Sequence, residues 1–409
     1  MQIEPHVPSP LDAAALAAHR KRGLFFLGSA CAAVGCAMAV QTGLNSNFVA
    51  QEMALSPEQQ GWLEACRETC GITALAVLAV LTWLAEPLIG AGMLVLLGVG
   101  VGSYAYVHDY AWLIAASLVW SQGLHVWMPL PNSMTLALAE PGRAGYRLGQ
   151  MQAAGNVGSG VGLALALALS QMSVPIRPLY LVAGGAAILA GAACLGIPRQ
   201  MKVERPRLVF RWRYGLYYLL CFLEGWRKQI CIAFAGYLLV KRYGTPLPTM
   251  LVLFIVIQIL GWVAAPRVGK WIDRVGEKQT LVFYYASLTV FFVCYAMIES
   301  RYLLWALFIV DSVFFVFTMA LTTYVNRIAP KEEHTPTLSM GVAMNHIASV
   351  AMPLIGGLLW QRFGYQWAFL TGVAAAACSI LVALRLPSAA PAGGAPVAVT
   401  EPPAPSVVD

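Results

Sequence analysis

Two short stretches place charge where a chain this apolar otherwise avoids it. In "GWLEACRETCGI", residues 61 to 72, Glu64 and Glu68 stand four apart and Arg67 three after Glu64, so all three project from one side of a helix. In "FLEGWRKQI", Glu224 precedes Arg227 by three, with Lys228 beside it. The first triad nets one negative charge and the second one positive. Carboxylates in such a setting hold cations or exchange protons, and guanidinium or ammonium groups hold anions. Asp311, a lone carboxylate in another apolar run, can take up a proton when water is scarce. His346, next to Asn345, and His125 have the side chain best suited to relay a proton near neutrality. The single-histidine alternative is a plain hydrogen bond to a helix carbonyl. Gln41, Asn45 and Asn132 offer uncharged polar contacts to a solute.

The elements that carry these residues are set by hydropathy. Of 409 residues 59% are hydrophobic and 11% charged, with mean hydropathy +0.68, whereas soluble domains carry about 25% charged residues. Apolar stretches of about 20 residues, enough to cross a hydrocarbon core of about 30 Å, recur along almost the whole chain. They predict an all-α integral membrane protein with twelve transmembrane helices. The spans fall near 23–47, 57–83, 87–107, 110–138, 146–171, 176–197, 213–240, 247–268, 279–299, 302–326, 337–361 and 365–386. Between them "SPEQQ", "EPGRAG", "PIRP", "GTPLP" and "APKEEHTP" supply turns and caps.

Lys and Arg placement orients the spans, because short loops rich in them stay cytoplasmic. With the N-terminus inside, eighteen of the 26 fall in cytoplasmic segments, five in outer ones and three within spans. The net charge of +7 is therefore a topology signal and no argument for a nucleic-acid partner. The expected organisation is a cytoplasmic segment 1–19, a six-helix bundle 20–198, a basic cytoplasmic linker 199–212, a second six-helix bundle 213–386, and a Pro/Ala-rich tail 387–409 with too little apolar mass to fold. The run after "HRKRG" is too long for a removable signal peptide and is expected to stay as the first helix. All nine cysteines sit in apolar runs, without CxxC or His/Cys ligand spacing, so no metal, cofactor or enzyme chemistry is expected.

A faint echo at a shift of about 190 residues sets Gly71 opposite Gly261 and Gly149 opposite Gly341, as expected of a duplicated body. After the eighth span, "GKWIDRVGEK" gives the pattern GxxxDRxGxK through Gly269, Asp273, Arg274, Gly276 and Lys278. It resembles the signature loop of the major facilitator superfamily, at the place that family requires it, between the second and third helix of a six-helix half. "GYQWAFLTG" and "AMPLIGGLLW" resemble the family's last helix and its flexible eleventh helix, and the likeness covers residues 20 to 386. The resemblance implies two six-helix pseudo-repeats in the major facilitator fold and a cytoplasmic latch at this loop. There Gly269 would let two helices approach and Asp273 would face a helix N-terminus. The first half departs from the pattern, with only "LAEPLIG" and Glu86 at the equivalent place.

A charge facing lipid costs about 2.5 to 3.5 kcal/mol on an insertion scale, so the six charges of the triads must face protein or water. Two readings are open. The charges tie helices together as permanent ion pairs, or they line a water-filled cavity where they bind solute, carry a proton or gate the outer side. Likewise Gly155, Gly158, Gly160 and Gly162 form either a close-packing face or a flexible gating helix, and Trp62, Trp112, Trp127 and Trp226 an aromatic wall or an interfacial belt. The resemblance favours a monomeric secondary transporter in the plasma (inner) membrane, both termini cytoplasmic. It would move a small organic solute, anionic or zwitterionic, by alternating access with protons, or failing that sodium, as coupling ion. The rival is a membrane sensor on the same body that binds its ligand without moving it; a lipid flippase is a third reading.

Overall fold

In a bilayer every backbone N–H and C=O must be satisfied within its own segment, and a chain of long apolar runs joined by short loops meets that condition as helices. The computed structural model describes residues 10–140, 142–199 and 210–387. Their regular structure is helical throughout: α1 (Pro10–Asn47), α2 (Pro57–Val80), α3 (Glu86–Ser103), α4 (Tyr110–Trp127), α5 (Leu130–Leu138), α6 (Ala144–Gln171), α7 (Ile176–Cys194), α8 (Gly215–Ile230), α9 (Gly236–Lys241), α10 (Leu247–Val275), α11 (Glu277–Met297), α12 (Arg301–Phe314), α13 (Met319–Ile328), α14 (Lys331–Phe363) and α15 (Tyr365–Leu384). Three pairs each make one crossing: α4 with α5, α8 with α9 through a π segment (Cys231–Ala235), and α12 with α13 through a 3-10 turn (Phe315–Thr318). That gives the expected twelve crossings. Most of the linker and nearly all of the tail, 200–209 and 388–409, lie outside the described residues, as does the segment before Pro10.

Nine helical stretches among the described residues are long and apolar enough to cross a membrane. The remaining crossings are α2 and α8–α9, which carry the charged triads, and α4–α5, interrupted after Trp127. The chain is therefore a multi-pass membrane protein.

The described chain divides into two compact units. One takes in α1 as far as Phe48 and then Thr73 to the linker; the other takes in Val49–Ile72 and everything after the linker. Residues 49–72, expected within the first bundle, thus pack with the second unit. In the first unit α1 lies on α6 and α7, and α3 on α4 and α7. The α1–α6 contact is built on missing side chains: a Cβ on Gly158 would overlap the Ala32 carbonyl, one on Gly162 would stand 2.6 Å from Cys36 O, and Gly155 presents its carbonyl to Gly35. Gly160 meets nothing within 4 Å. Gly155, Gly158 and Gly162 therefore serve close packing, the interface small residues make where lipid offers no hydrophobic drive between helices. In the second unit α8 packs on α14 and α15, and α11 on α15.

The internal repeat is clearer in packing than in letters. Gly71 abuts the His346 ring whereas Gly261 has nothing within 4 Å, and Gly341 abuts Tyr217 whereas Gly149 is open. Those pairings are not equivalent. Instead Glu86 opens α3 and Glu277, 191 residues later, opens α11, each buried. Glu86 accepts from Ser133 Oγ at 2.6 Å, and Glu277 pairs with Arg327 at 3.1 Å. Tyr104 and Tyr180 meet with ring centroids 4.9 Å apart, tilted by 47°, in the first unit, and Tyr295 and Phe369, displaced by 191 and 189 residues, stack at 4.8 Å in the second.

The signature stretch is helical and not a loop. Its side chains through Arg274 suit a helix, so α10 runs on to Val275 and stops at Gly276, whose φ of +86° only glycine adopts without strain. Gly269 does not bring two helices together; a Cβ there would come only within 4.0 Å of Met319 Cε. Asp273 and Arg274 are exposed, and the buried acid at this end is Glu277.

Candidate functional site: a buried charge relay and cavity in the second unit

Helix α8 winds Tyr217, Cys221, Glu224 and Lys228 onto one face, spaced by four, three and four. They line a cavity of about 270 Å³, closed by Phe315 and Thr318 of the 3-10 turn, Leu321 and Thr322 of α13, and Gly341, Val342 and Asn345 of α14. Lys228 lies 13 residues into α8 and Asn345 14 into α14, in both cases about 20 Å of helical rise. The upper end of the cavity is thus near the middle of a bilayer. Glycine sets the approach of these two helices, since a Cβ on Gly225 would overlap the Asn345 carbonyl. Asn345 Nδ2 donates to Cys221 O at 3.3 Å and Ser349 Oγ to Gly225 O at 3.4 Å.

Each triad is first paired within its own helix. Arg67 donates to Glu64 at 2.6 Å across one turn, and Arg227 to Glu224 in the same i,i+3 relation. The leftover charges, Glu68 and Lys228, meet between α2 and α8 at 3.9 Å. Glu68 Oε2 also stands 3.0 Å from His346 Nδ1, and Lys228 Nζ donates to Asn345 Oδ1 at 3.0 Å. The opposite signs of the two triads are legible in the sequence, and the residues that join them are Glu68 and Lys228.

Arg227 is 2% exposed, and it holds two aromatic faces besides Glu224: Phe315 with its centroid at 4.9 Å and Tyr284 at 5.3 Å. Guanidinium over an aromatic ring is worth more when desolvated. Glu224 is further held by the Tyr284 hydroxyl at 3.2 Å. Asp311, equally buried, is in hydrogen-bonding reach of Cys231 and in electrostatic range of Arg227 and Glu224, while its Oδ1 has no hydrogen-bond partner among the described residues. Arg227 is thus paired with Glu224, with a second carboxylate in electrostatic range.

Above the cavity α2 is fastened to the rest of the second unit without charge pairs. Gln60 Nε2 donates to Ala233 O and to Glu64 Oε1, both at 3.2 Å. Tyr237 Oη and Lys241 Nζ donate to Leu55 O at 2.7 and 3.0 Å. A Cβ on Gly61 would overlap the Pro353 carbonyl, and one on Gly357 would lie 2.7 Å from Pro57 O.

The other expected residues are held as follows. Gln41 and Asn45 bond each other on α1 at 3.3 Å, in the first unit. His125, on α4, donates from Nδ1 to Ser121 O at 2.8 Å. Asn132 is exposed. Trp62 and Trp112 are exposed, Trp127 is buried beside Gly90, and Trp226 donates to Thr371 Oγ1 at 3.3 Å. Gly276 forms the turn before α11, and Lys278 is half-buried in its first turn. Sequence reasoning misses the parts taken by Tyr284, Cys231 and Gln60; the signal for Gln60 is its place four residues before Glu64 on one face. All nine cysteines are free thiols.

Outside the spans, Glu140 in the turn before α6 accepts from Arg147 at 2.5 and 2.9 Å, and that hydrogen bond holds its carboxyl down to about 2. Glu333, at the start of α14, is lowered chiefly by the Tyr214 hydroxyl, with Arg213 and Arg211 nearby.

Residues 217–408 match the family model of the Major Facilitator Superfamily. No curated protein is significantly similar to the chain in sequence. Among solved structures, the nucleoside transporter NupG superposes with a TM-score of 0.73 at 13% identity, over 88% of this chain and 98% of that one. A bacterial homolog of the human lysosomal transporter Spinster, inward-facing and occupied, gives 0.72 at 12% identity over 90% and 96%. A D-xylose-proton symporter gives 0.67 at 14% identity over 89% and 96%. The second half of the chain thus resembles the Major Facilitator Superfamily in sequence, and the described chain shares the fold of these solved transporters.

Proposed function

We propose that the protein is a monomeric secondary transporter that moves a small organic solute by alternating access, with protons as the coupling ion. The observation that carries this reading is the cavity at mid-helix depth, where Glu224 and Lys228 sit beside a buried guanidinium that pairs with Glu224 and has Asp311 in electrostatic range. Charge at such depth marks substrate and ion pathways in membrane proteins. Structural neighbours described as a nucleoside transporter and a D-xylose-proton symporter support a small solute and a proton.

Arg227 balances either Glu224 or Asp311 alone. A proton on Asp311 leaves the Glu224–Arg227 pair neutral; loss of that proton pulls Arg227 toward Asp311 and frees the carboxylate that lines the cavity. Proton occupancy is thereby read out at the solute site. Glu68, between His346 and Lys228, offers a second exchange of the same kind. Asp273, Arg274, Gly276 and Lys278 form the latch at the cytoplasmic end, on a helix stop rather than a loop. The Lys and Arg distribution supports an inner-membrane protein with bundles at 20–198 and 213–386 and both termini in the cytoplasm.

The test is uptake into proteoliposomes under an imposed pH gradient. Accumulation should follow the gradient, and Asp311→Asn should lose gradient-driven accumulation while keeping solute exchange. Binding without flux in the wild type would support a sensor and overturn the transport reading.

A further inference from the structure

The cavity in the second unit has one charged end, and its chemistry narrows the solute. Two charged side chains line it, Glu224 and Lys228. Glu224 is spent: Arg227 takes both its oxygens, and the Tyr284 hydroxyl adds a third bond. While Arg227 holds Glu224, as in this structure, an ammonium group entering the cavity meets no available carboxylate on its wall. Lys228 is different. Its ammonium carries three N–H donors. One goes to the neutral Asn345 amide at 3.0 Å, and the approach to Glu68, at 3.9 Å, is too long for a hydrogen bond. The cavity thus presents a positive donor and no free negative acceptor.

Away from Lys228 the wall is largely apolar. Phe315, Leu321 and Val342 line it, Cys221 has the character of a small hydrophobe, and Thr318 already donates its hydroxyl to Phe315 O at 2.8 Å. Beyond Lys228 and the engaged Asn345 amide, the hydroxyls of Tyr217 and Thr322 are what remain for a solute clad in hydroxyls. A polyol or nucleoside would leave several of its own polar groups unpaired, which costs more than the missing bonds themselves.

Resting on the transporter reading above, we infer that the solute is a small organic monocarboxylate with an apolar body, its carboxylate on Lys228 and its body against Phe315, Leu321 and Val342. The anion, not the zwitterion, fits this wall. The volume is below the roughly 300 Å³ at which drug-sized ligands begin to fit, so the portion held by this unit is a single ring or short chain.

The experiment compares matched probes on purified full-length protein at neutral pH, by titration calorimetry: benzoate and 3-phenylpropanoate against their amides, with phenylalanine, uridine and D-xylose alongside. The acids should bind more tightly than the amides by about tenfold to a hundredfold, the value of a hydrogen bond to a charged group. Lys228→Gln should bring acid and amide to equal affinity, while Lys228→Arg keeps the preference for the acid. Amides, uridine or xylose binding as well as the acids, no acid binding, or an acid preference that survives Lys228→Gln would each overturn the assignment. If Lys228→Gln does not fold, the wild-type series and Lys228→Arg decide. Acids that bind with the expected preference yet show no uptake in vesicles uphold the site and sink the transporter reading; uptake of xylose or uridine but no acid does the reverse.

Discussion

Removing one partner of the Glu224–Arg227 pair separates what the pair does for folding from what it does for flux. Arg227 is 2% and Glu224 4% exposed, so each charge has given up nearly all of its water. Breaking a buried pair by deleting one member costs about 3 to 5 kcal/mol, whereas replacing both by apolar groups of similar volume is neutral or stabilising by about 1 to 4 kcal/mol. Glu224→Gln keeps the shape but strands the guanidinium, leaving it Asp311 and the faces of Tyr284 and Phe315. Those partners put the expected loss at the lower end, about 3 kcal/mol. Arg227→Met strands Glu224 with the Tyr284 hydroxyl and should cost about 5 kcal/mol. The double variant Glu224→Leu with Arg227→Met should recover wild-type thermal stability or exceed it. Thermal unfolding in detergent, read by intrinsic fluorescence, gives the stability order, and proteoliposome uptake gives flux. Both single variants should melt earlier, the double should not, and all three should lack gradient-driven flux. Single variants that melt with the wild type would refute the desolvation argument, and a double variant with normal flux would make the pair a structural tie only.

Gly61→Ala sets a methyl against the Pro353 carbonyl; overpacking of this kind costs about 1 to 3 kcal/mol, seen as an earlier thermal transition and as faster labelling of cysteines placed along residues 55–61. Gly276→Ala forces a side chain into a φ of +86°, at a cost of about 1 kcal/mol or more, and should lower the melting temperature. For Glu140 the folded carboxyl is depressed to about 2 by Arg147. Its contribution is therefore complete above the ordinary carboxylate range and disappears as pH falls through about 2, and Glu140→Gln should flatten that part of an acid titration of the melting temperature.

The crossings were legible because lipid permits few ways to satisfy a backbone, and the interior charges because lipid exposure is so costly. Their pairing was not. Whether Arg67 reaches Glu64 or Glu68, and whether Lys228 turns to α2 or to Asn345, depends on helix rotation, which hydropathy does not encode. The repeat showed the same limit: Gly71 and Gly261 share a letter but not an environment, while Glu86 and Glu277 share a position at a helix start that the glycine matches overlooked. The latch stretch looked like a loop because it is charged, yet charged side chains suit a helix, and one glycine was enough to end it. Nothing in "QICIAFAG" announces a π segment, since it holds no proline and its only glycine comes after.

That π segment at Cys231–Ala235 sets the phase of α9. A π turn accommodates one residue beyond the α count, and each residue is worth about 100° of rotation. Tyr237 and Lys241, four apart, consequently aim together at a single oxygen, that of Leu55, from an azimuth a continuous α-helix would have denied them. Excising one residue from the segment would swing both away without shortening the rod by more than about 1.5 Å. The crossing is thus built like a screw with a skipped thread, and its twist, rather than its length, decides whether α9 meets Leu55.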